Sequence, residues 1–212
     1  MELIDIQSQF REASQLALRG DYREAANIYE LLVTTMRSAG SPVQASDLQQ
    51  LLRSACFNLA QVLNRLGEFK KALEYAQEGL GLAPTEVGRA IALSAKGEAL
   101  YGLGRIDEAT VAFREASLAH PITGRLNSAD SMARLGSRQL LVIAEQWVED
   151  VVKSFADRLR PQLWCEVETI RGRIAAHHGD YETAKLHFEG ALRADPTSAD
   201  AKVQLSLLTA KR

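Results

Sequence analysis

Three of the four histidines sit close together near the C-terminus: His177, His178 and His187. Such residues could hold a metal or move a proton. Adjacent histidines point to different faces of a helix, however, so His177 and His178 do not share one ion. A histidine at a helix C-terminus is instead favoured in its protonated form by the helix dipole. The glycines of "GEALYGLGR", Gly97 to Arg105, resemble a phosphate-binding loop only superficially, because Arg105 stands where a phosphate-binding lysine is needed. Glu149 and Asp150 read as a solvated helix face. No GxSxG, HExxH or GxxxxGK[ST] occurs. Cys56 and Cys165 lie far apart in apolar contexts, and no CxxC exists to hold zinc. The expectation is a protein without catalytic residues, cofactor or metal.

Binding chemistry must then be carried by a framework, and the bulk properties bound what that framework is. The chain has 212 residues, 46% hydrophobic and 25% charged, enough apolar content for a folded core. The net charge of −2 argues against nucleic acid as a partner, and "RLRP" at Arg158–Pro161 is too short a basic cluster to change that. The opening "MELIDIQSQFREAS" has early acidic residues and no long apolar run, so no secretory leader is expected. No window approaches the ~20 apolar residues of a membrane span. A cytoplasmic location is expected by default.

The chain repeats itself. Aligned on Gly20, Gly67, Gly104 and Gly179, four stretches carry Tyr22, Phe69, Ile106 or Tyr181 two residues on. Ala25, Ala72, Ala109 or Ala184 follow after three more, and Tyr29, Ala76, Phe113 or Phe188 after another four. Seven residues before each glycine stands a small one: Ala13, Ala60, Gly97 or Gly172. Pro84, Pro121 and Pro196 close three of the copies. Each piece has a cause. Glycine reaches the left-handed conformation that ends a helix. Apolar residues at three- and four-residue spacing make one helix face. A small residue at the crossing lets two helices approach, and proline stops the second. Asp21, Glu68 and Asp180, acidic after the glycine, suit a helix N-terminus.

This pattern resembles the tetratricopeptide repeat, a helical hairpin of roughly 34 residues that buries its face by stacking on neighbours. The resemblance implies an all-α fold: a right-handed superhelix of five antiparallel hairpins, about 2–38, 44–83, 85–121, 122–159 and 161–195, plus a capping helix at 197–211, as one domain. That makes about eleven helices and no strand. A longer connection with a break near Gly40–Pro42 fills the 47-residue first interval. The 75 residues from Gly104 to Gly179 leave room for a degenerate fourth hairpin. In it Leu135–Gly136 mimics Leu66–Gly67, Ala129 stands seven before the glycine, and Arg138 and Leu141 replace the aromatic and the alanine. Its second helix is expected from Ser137 to Leu159, with an apolar stripe wider than one neighbour needs. Ser198 is the expected N-cap of the capping helix, and Lys211 and Arg212 suit its C-terminal end.

In repeats of this kind the first helix of each hairpin lines a concave groove. The resemblance therefore implies a partner-binding face of Gln7, Phe10 and Ser14, then Phe57, Gln61, Asn64 and Arg65, then Ile91, Ser94, Glu98 and Tyr101. Asp130 and Arg134 continue it in the fourth hairpin, and Thr169, Arg173 and His177 in the fifth. Phe10 and Phe57 could equally pack between helices. One subset of the family clamps a C-terminal carboxylate with two lysines, two asparagines and an arginine. Only Asn58 matches that set, whereas Phe10, Ser14, Ile91 and Ala95 occupy the other positions, which argues against that role. The implied function is an adaptor or scaffold that binds a peptide or helix of another protein. The competing reading is self-assembly, a homodimer built on Trp147, Val151 and Phe155 of the wide stripe.

Overall fold

The computed structural model describes residues 3–38 and 45–210, and every described element is helical. The break expected near Gly40–Pro42 and the charges of Lys211 and Arg212 lie outside these residues. The order is α1 (Leu3–Arg19), α2 (Tyr22–Ser38), α3 (Ala45–Arg65), α4 (Phe69–Gly81), α5 (Glu86–Gly102) and α6 (Ile106–Ala119). Then follow α7 (Thr123–Leu135), α8 (Arg138–Phe155), α9 (Pro161–His177), α10 (Tyr181–Ala194) and α11 (Ala199–Ala210). The chain forms two compact units, Met1–Ala119 and His120–Arg212.

Positive φ occurs at Gly20, Gly67, Gly104, Gly136 and Gly179, the five hairpin turns. At Gly136 the value of +69° identifies the diverged fourth turn as a true copy of the others, since a side chain rarely adopts it. In the third and fifth hairpins the small residue before the turn is a seat for an aromatic ring. A Cβ on Gly97 would stand 2.7 Å from the Phe113 ring, and one on Gly172 2.5 Å from the Phe188 ring. Both rings are fully buried. The fourth hairpin lacks this lock, because the matching position on α8 is Glu145, which is exposed. Its core is aliphatic instead: Leu140, Leu141, Ala144, Val148 and Val151.

In the first unit α2 packs on α3 and α4 on α5, while α1 also touches α3 and α3 touches α5. The second helices approach each other through long ion pairs, Lys71 to Glu30 at 3.1 Å together with Arg23–Glu68 and Arg37–Glu78. First helices in contact and second helices held apart curve the unit, with the first helices inside. In the second unit α7 touches α9 and α9 touches α11, so within it the first helices are again the inner ones. There α8 packs well on α7 but only lightly on α9.

Helix α8 ends earlier than the sequence pattern predicts. It closes at Phe155, a single 3-10 turn spans Ala156–Arg158, and Leu159 is extended. The cause is Pro161, which keeps Arg160 extended (φ −68°, ψ 162°) and itself opens α9. Ser137 and Ser198 cap α8 and α11 through Leu140 and Ala201, at 3.4 and 3.3 Å, and Asp180 caps α10 by accepting from the Thr183 amide at 3.0 Å. Asp180 is held below the usual carboxylate range by those Thr183 contacts.

A polar chain runs inside the first unit. The Tyr29 hydroxyl, wholly buried, shares a 2.8 Å hydrogen bond with Ser14 and accepts one of 3.0 Å from the Asn58 amide. Burial holds its pKa above the ordinary value, against the effect of both bonds. Tyr29→Phe is expected to cost about 1–2 kcal/mol, because two partners lose their acceptor or donor inside the protein. Urea unfolding followed by circular dichroism measures this, and an unchanged midpoint would show the chain to be energetically idle.

Candidate functional site

The inner face of the first unit is built from α1, α3 and α5. Gln7 and Arg65 are exposed on it, and Phe10, Gln61, Ile91 and Tyr101 are half-buried. Phe10 rests edge-on against Tyr29, with centroids 5.6 Å apart. Ser14 is occupied by Tyr29 and by the Phe10 carbonyl, to which it donates at 2.8 Å. Ser94 donates to the Ala90 carbonyl at 2.9 Å. Glu98 is buried, 4% exposed.

Phe57 is corrected from groove to core. It is 7% exposed, and a Cβ on Gly79 would stand 2.6 Å from its ring, so glycine there makes room for it. Asn58, the single match to the carboxylate clamp, spends its amide on Tyr29. Asn64 lies deeper than the sequence implied, 5% exposed, and its amide donates to the Ala95 carbonyl at 2.9 Å. It therefore ties α3 to α5 rather than standing at the surface. Cys56 is buried as expected, and burial pushes its thiol up to about 12, which removes it as a nucleophile.

The second unit's inner face joins α7, α9 and α11 through one charge network. Arg173, 6% exposed, reaches Asp130 on α7 and donates to Asp200 on α11 at 2.6 Å. Arg134 pairs with the same Asp130 and bonds Ser131 at 3.1 Å. Thr169 turns back to the Cys165 carbonyl at 2.7 Å. Arg173 is thus a structural bridge, a correction to its reading as a surface contact. His177 is exposed, with its ring over Gly136, whose missing Cβ would otherwise stand 2.4 Å away. Glu166 lines a hollow beside Arg173 and is itself exposed to solvent.

The stripe on α8 divides. Val151 is fully buried, another correction, whereas Trp147 and Phe155 are half-buried and Val142 is 59% exposed. Arg158 stands 5.8 Å over the Phe155 ring. Among the described residues no three His, Cys, Asp or Glu side chains converge as a metal would need. No described helix is long and apolar enough to cross a membrane.

Sequence reasoning missed Asp200, Tyr181 and Leu207 as groove residues. Asp200 was legible only as a first-turn acid of α11, and Tyr181 only as a repeat position.

Left-handed glycines, ring-in-glycine crossings and inner first helices define a protein of the stacked helical-hairpin class. Residues 54–86 and 90–115 match models of the tetratricopeptide repeat. The chain carries tetratricopeptide repeats. Among solved structures, TTC0263, a thermophilic TPR protein of Thermus thermophilus, is 20% identical with a TM-score of 0.61, over 97% of this chain and 99% of that one. A tetratricopeptide repeat protein from Parabacteroides merdae is 13% identical with a TM-score of 0.45, over 96% and 72%. BtubC from P. vanneervenii is 17% identical with a TM-score of 0.47, over 90% and 88%. No curated protein matches the chain. The repeats and the fold make it a protein–protein interaction protein in general.

Proposed function

We propose that the chain is a non-enzymatic cytoplasmic adaptor whose inner faces hold a peptide or helical segment of a partner protein. The observation that carries this is the composition left open on α3 and α5. Gln61, Arg65 and Tyr101 reach solvent there, while the apolar repeat positions are consumed by the core. An amide, a guanidinium and a phenol are groups that read a backbone and its side chains. The test is capture of partners by wild type and by a Gln61→Ala, Arg65→Glu, Tyr101→Ala variant whose helicity is unchanged. A protein retained by the first and lost by the second supports the proposal. Equal retention moves the site off this face.

A second reading, assembly of two copies through the fourth hairpin, is favoured by one observation. Val142 is exposed on a helix that packs only lightly on α9. Light scattering of Val142→Glu against wild type decides it: a dimer that becomes a monomer supports assembly, and a monomer in both ends it.

A further inference from the structure

The seams between neighbouring hairpins are not alike. Where α2 packs on α3, Ala26 and Val33 of the one helix and Leu59 of the other are all buried. Counted from the turn glycines, the same three positions at the seam of the fourth and fifth hairpins hold Val142, Glu149 and Arg171. Val142 is 59% exposed, and the side chains of Glu149 and Arg171 are 59% and 23% exposed. An apolar seal has been replaced there by an ion pair.

The seam is correspondingly open. Helix α8 lies closely on α7 but lightly on α9, and a cleft of about 410 Å³ runs between α8, the C-terminal half of α9 and the start of α10. Val148, Ile174 and Ala175 are among its walls. Arg171 spans the gap. Its Nε and Nη2 donate to Glu149 Oε1 at 3.1 and 2.6 Å, and its Nη1 donates to Glu168 of its own helix at 3.0 Å. Nδ1 of His187 on α10 lies 2.8 Å from the other Glu168 oxygen. The guanidinium is therefore anchored on the fifth hairpin and reaches out to the fourth. On the inner side α7 packs directly on α9, and the covalent joint is fixed by Pro161 and the buried Leu159. The outer side has room to move about a fixed inner side.

We infer that this seam is a hinge, and that the Arg171–Glu149 pair is the latch that holds it at one opening. Two long charged side chains tie α8 to α9 and also keep the two helices apart. A pair this exposed is weak and is screened by salt, so it can be released without unfolding the hairpins. Its release lets α8 swing on the contact of α7 with α9. Helices α7 and α9 carry Arg134 and His177 on the inner face, so the swing resets their spacing. A charge on the outer side thus governs the inner face of this unit.

The test measures distances by double electron–electron resonance in the full chain. Nitroxides are placed on Gln146→Cys of α8 and Leu186→Cys of α10, both exposed positions. The native Cys56 and Cys165 are buried and do not take the label. A second pair within the fifth hairpin, Gln162→Cys and Leu186→Cys, is the control. Glu149→Gln removes the latch charge and leaves Arg171, Glu168 and His187 in place, so it should widen the α8–α10 distribution. Salt of about 1 M, where screening acts beyond about 3 Å, should widen the wild-type distribution in the same way and leave Glu149→Gln unchanged. Glu149→Val with Arg171→Leu restores the apolar pair of the first seam and should close the cleft. Spread over about ten residues of a helix about 10 Å wide, the cleft volume corresponds to a shortening of about 3 Å. The control pair should stay constant throughout. One unchanged α8–α10 distribution in all three proteins and at both salt concentrations overturns the inference. So does a double apolar variant that is no shorter than wild type, or a change that appears equally in the control pair, which reports unfolding instead of a hinge.

Discussion

Phe188→Ala should destabilise the second unit by about 4 kcal/mol, near the upper part of the range for removing a buried ring. The ring is 1% exposed and is inserted into a helix crossing that only glycine allows, at Gly172. Little nearby can collapse into the vacancy, because the facing surface is helix backbone. The coupling is the sharper readout. Gly172→Leu alone drives a side chain into the ring and should cost about 1–3 kcal/mol. Combined with Phe188→Ala, the new leucine enters the space the ring vacated, so the double variant should lose at least about 1 kcal/mol less than the sum. Urea unfolding of the four proteins measures the cycle. Simple additivity, or a loss below about 1 kcal/mol for Phe188→Ala, would mean that the ring and the glycine do not form the lock described for them.

Val151→Glu is the second large effect. Val151 is fully buried on α8, so the substitution places a carboxylate among Leu140, Ala144 and Val148 with no partner prepared for it. A loss of about 4 kcal/mol or more is expected, enough to unfold this unit at ambient temperature. The distinction matters for the assembly reading. A change of mass in Val151→Glu would report unfolding, whereas Val142→Glu, at a position 59% exposed, should alter stability by no more than about 0.5 kcal/mol and so isolates the surface. Circular dichroism at increasing temperature separates the two. A Val151→Glu protein as helical and stable as wild type would contradict the burial.

The five turns were legible in the sequence because a left-handed glycine and a small residue seven places earlier are local necessities of a tight helical hairpin. Gly136 obeyed both rules even though the aromatic that usually accompanies them was lost to Glu145. Pro161 set the start of α9, yet its effect on the residue before it also shortened α8, and the apolar stripe running on to Leu159 hid that end. Helical periodicity reports which residues are apolar. It does not report how strongly a downstream proline competes with them.

What the sequence determined by itself is therefore the repeat: the hairpin count, the turns, the crossings and the helix face that looks inward. These follow from backbone sterics and side-chain size within each hairpin and its neighbour. Only the tertiary structure decided which inward residues remain available to a partner. Asn64 and Arg173 carry surface chemistry but are drawn inside, one by the Ala95 carbonyl and the other by Asp130 and Asp200, which lie 43 and 27 residues away in the chain. Tyr181 and Leu207 look like ordinary repeat and capping residues and end up facing solvent across one hollow. Exposure is settled by neighbours distant in sequence, through burial and the pairing of charges, and no local spacing encodes it.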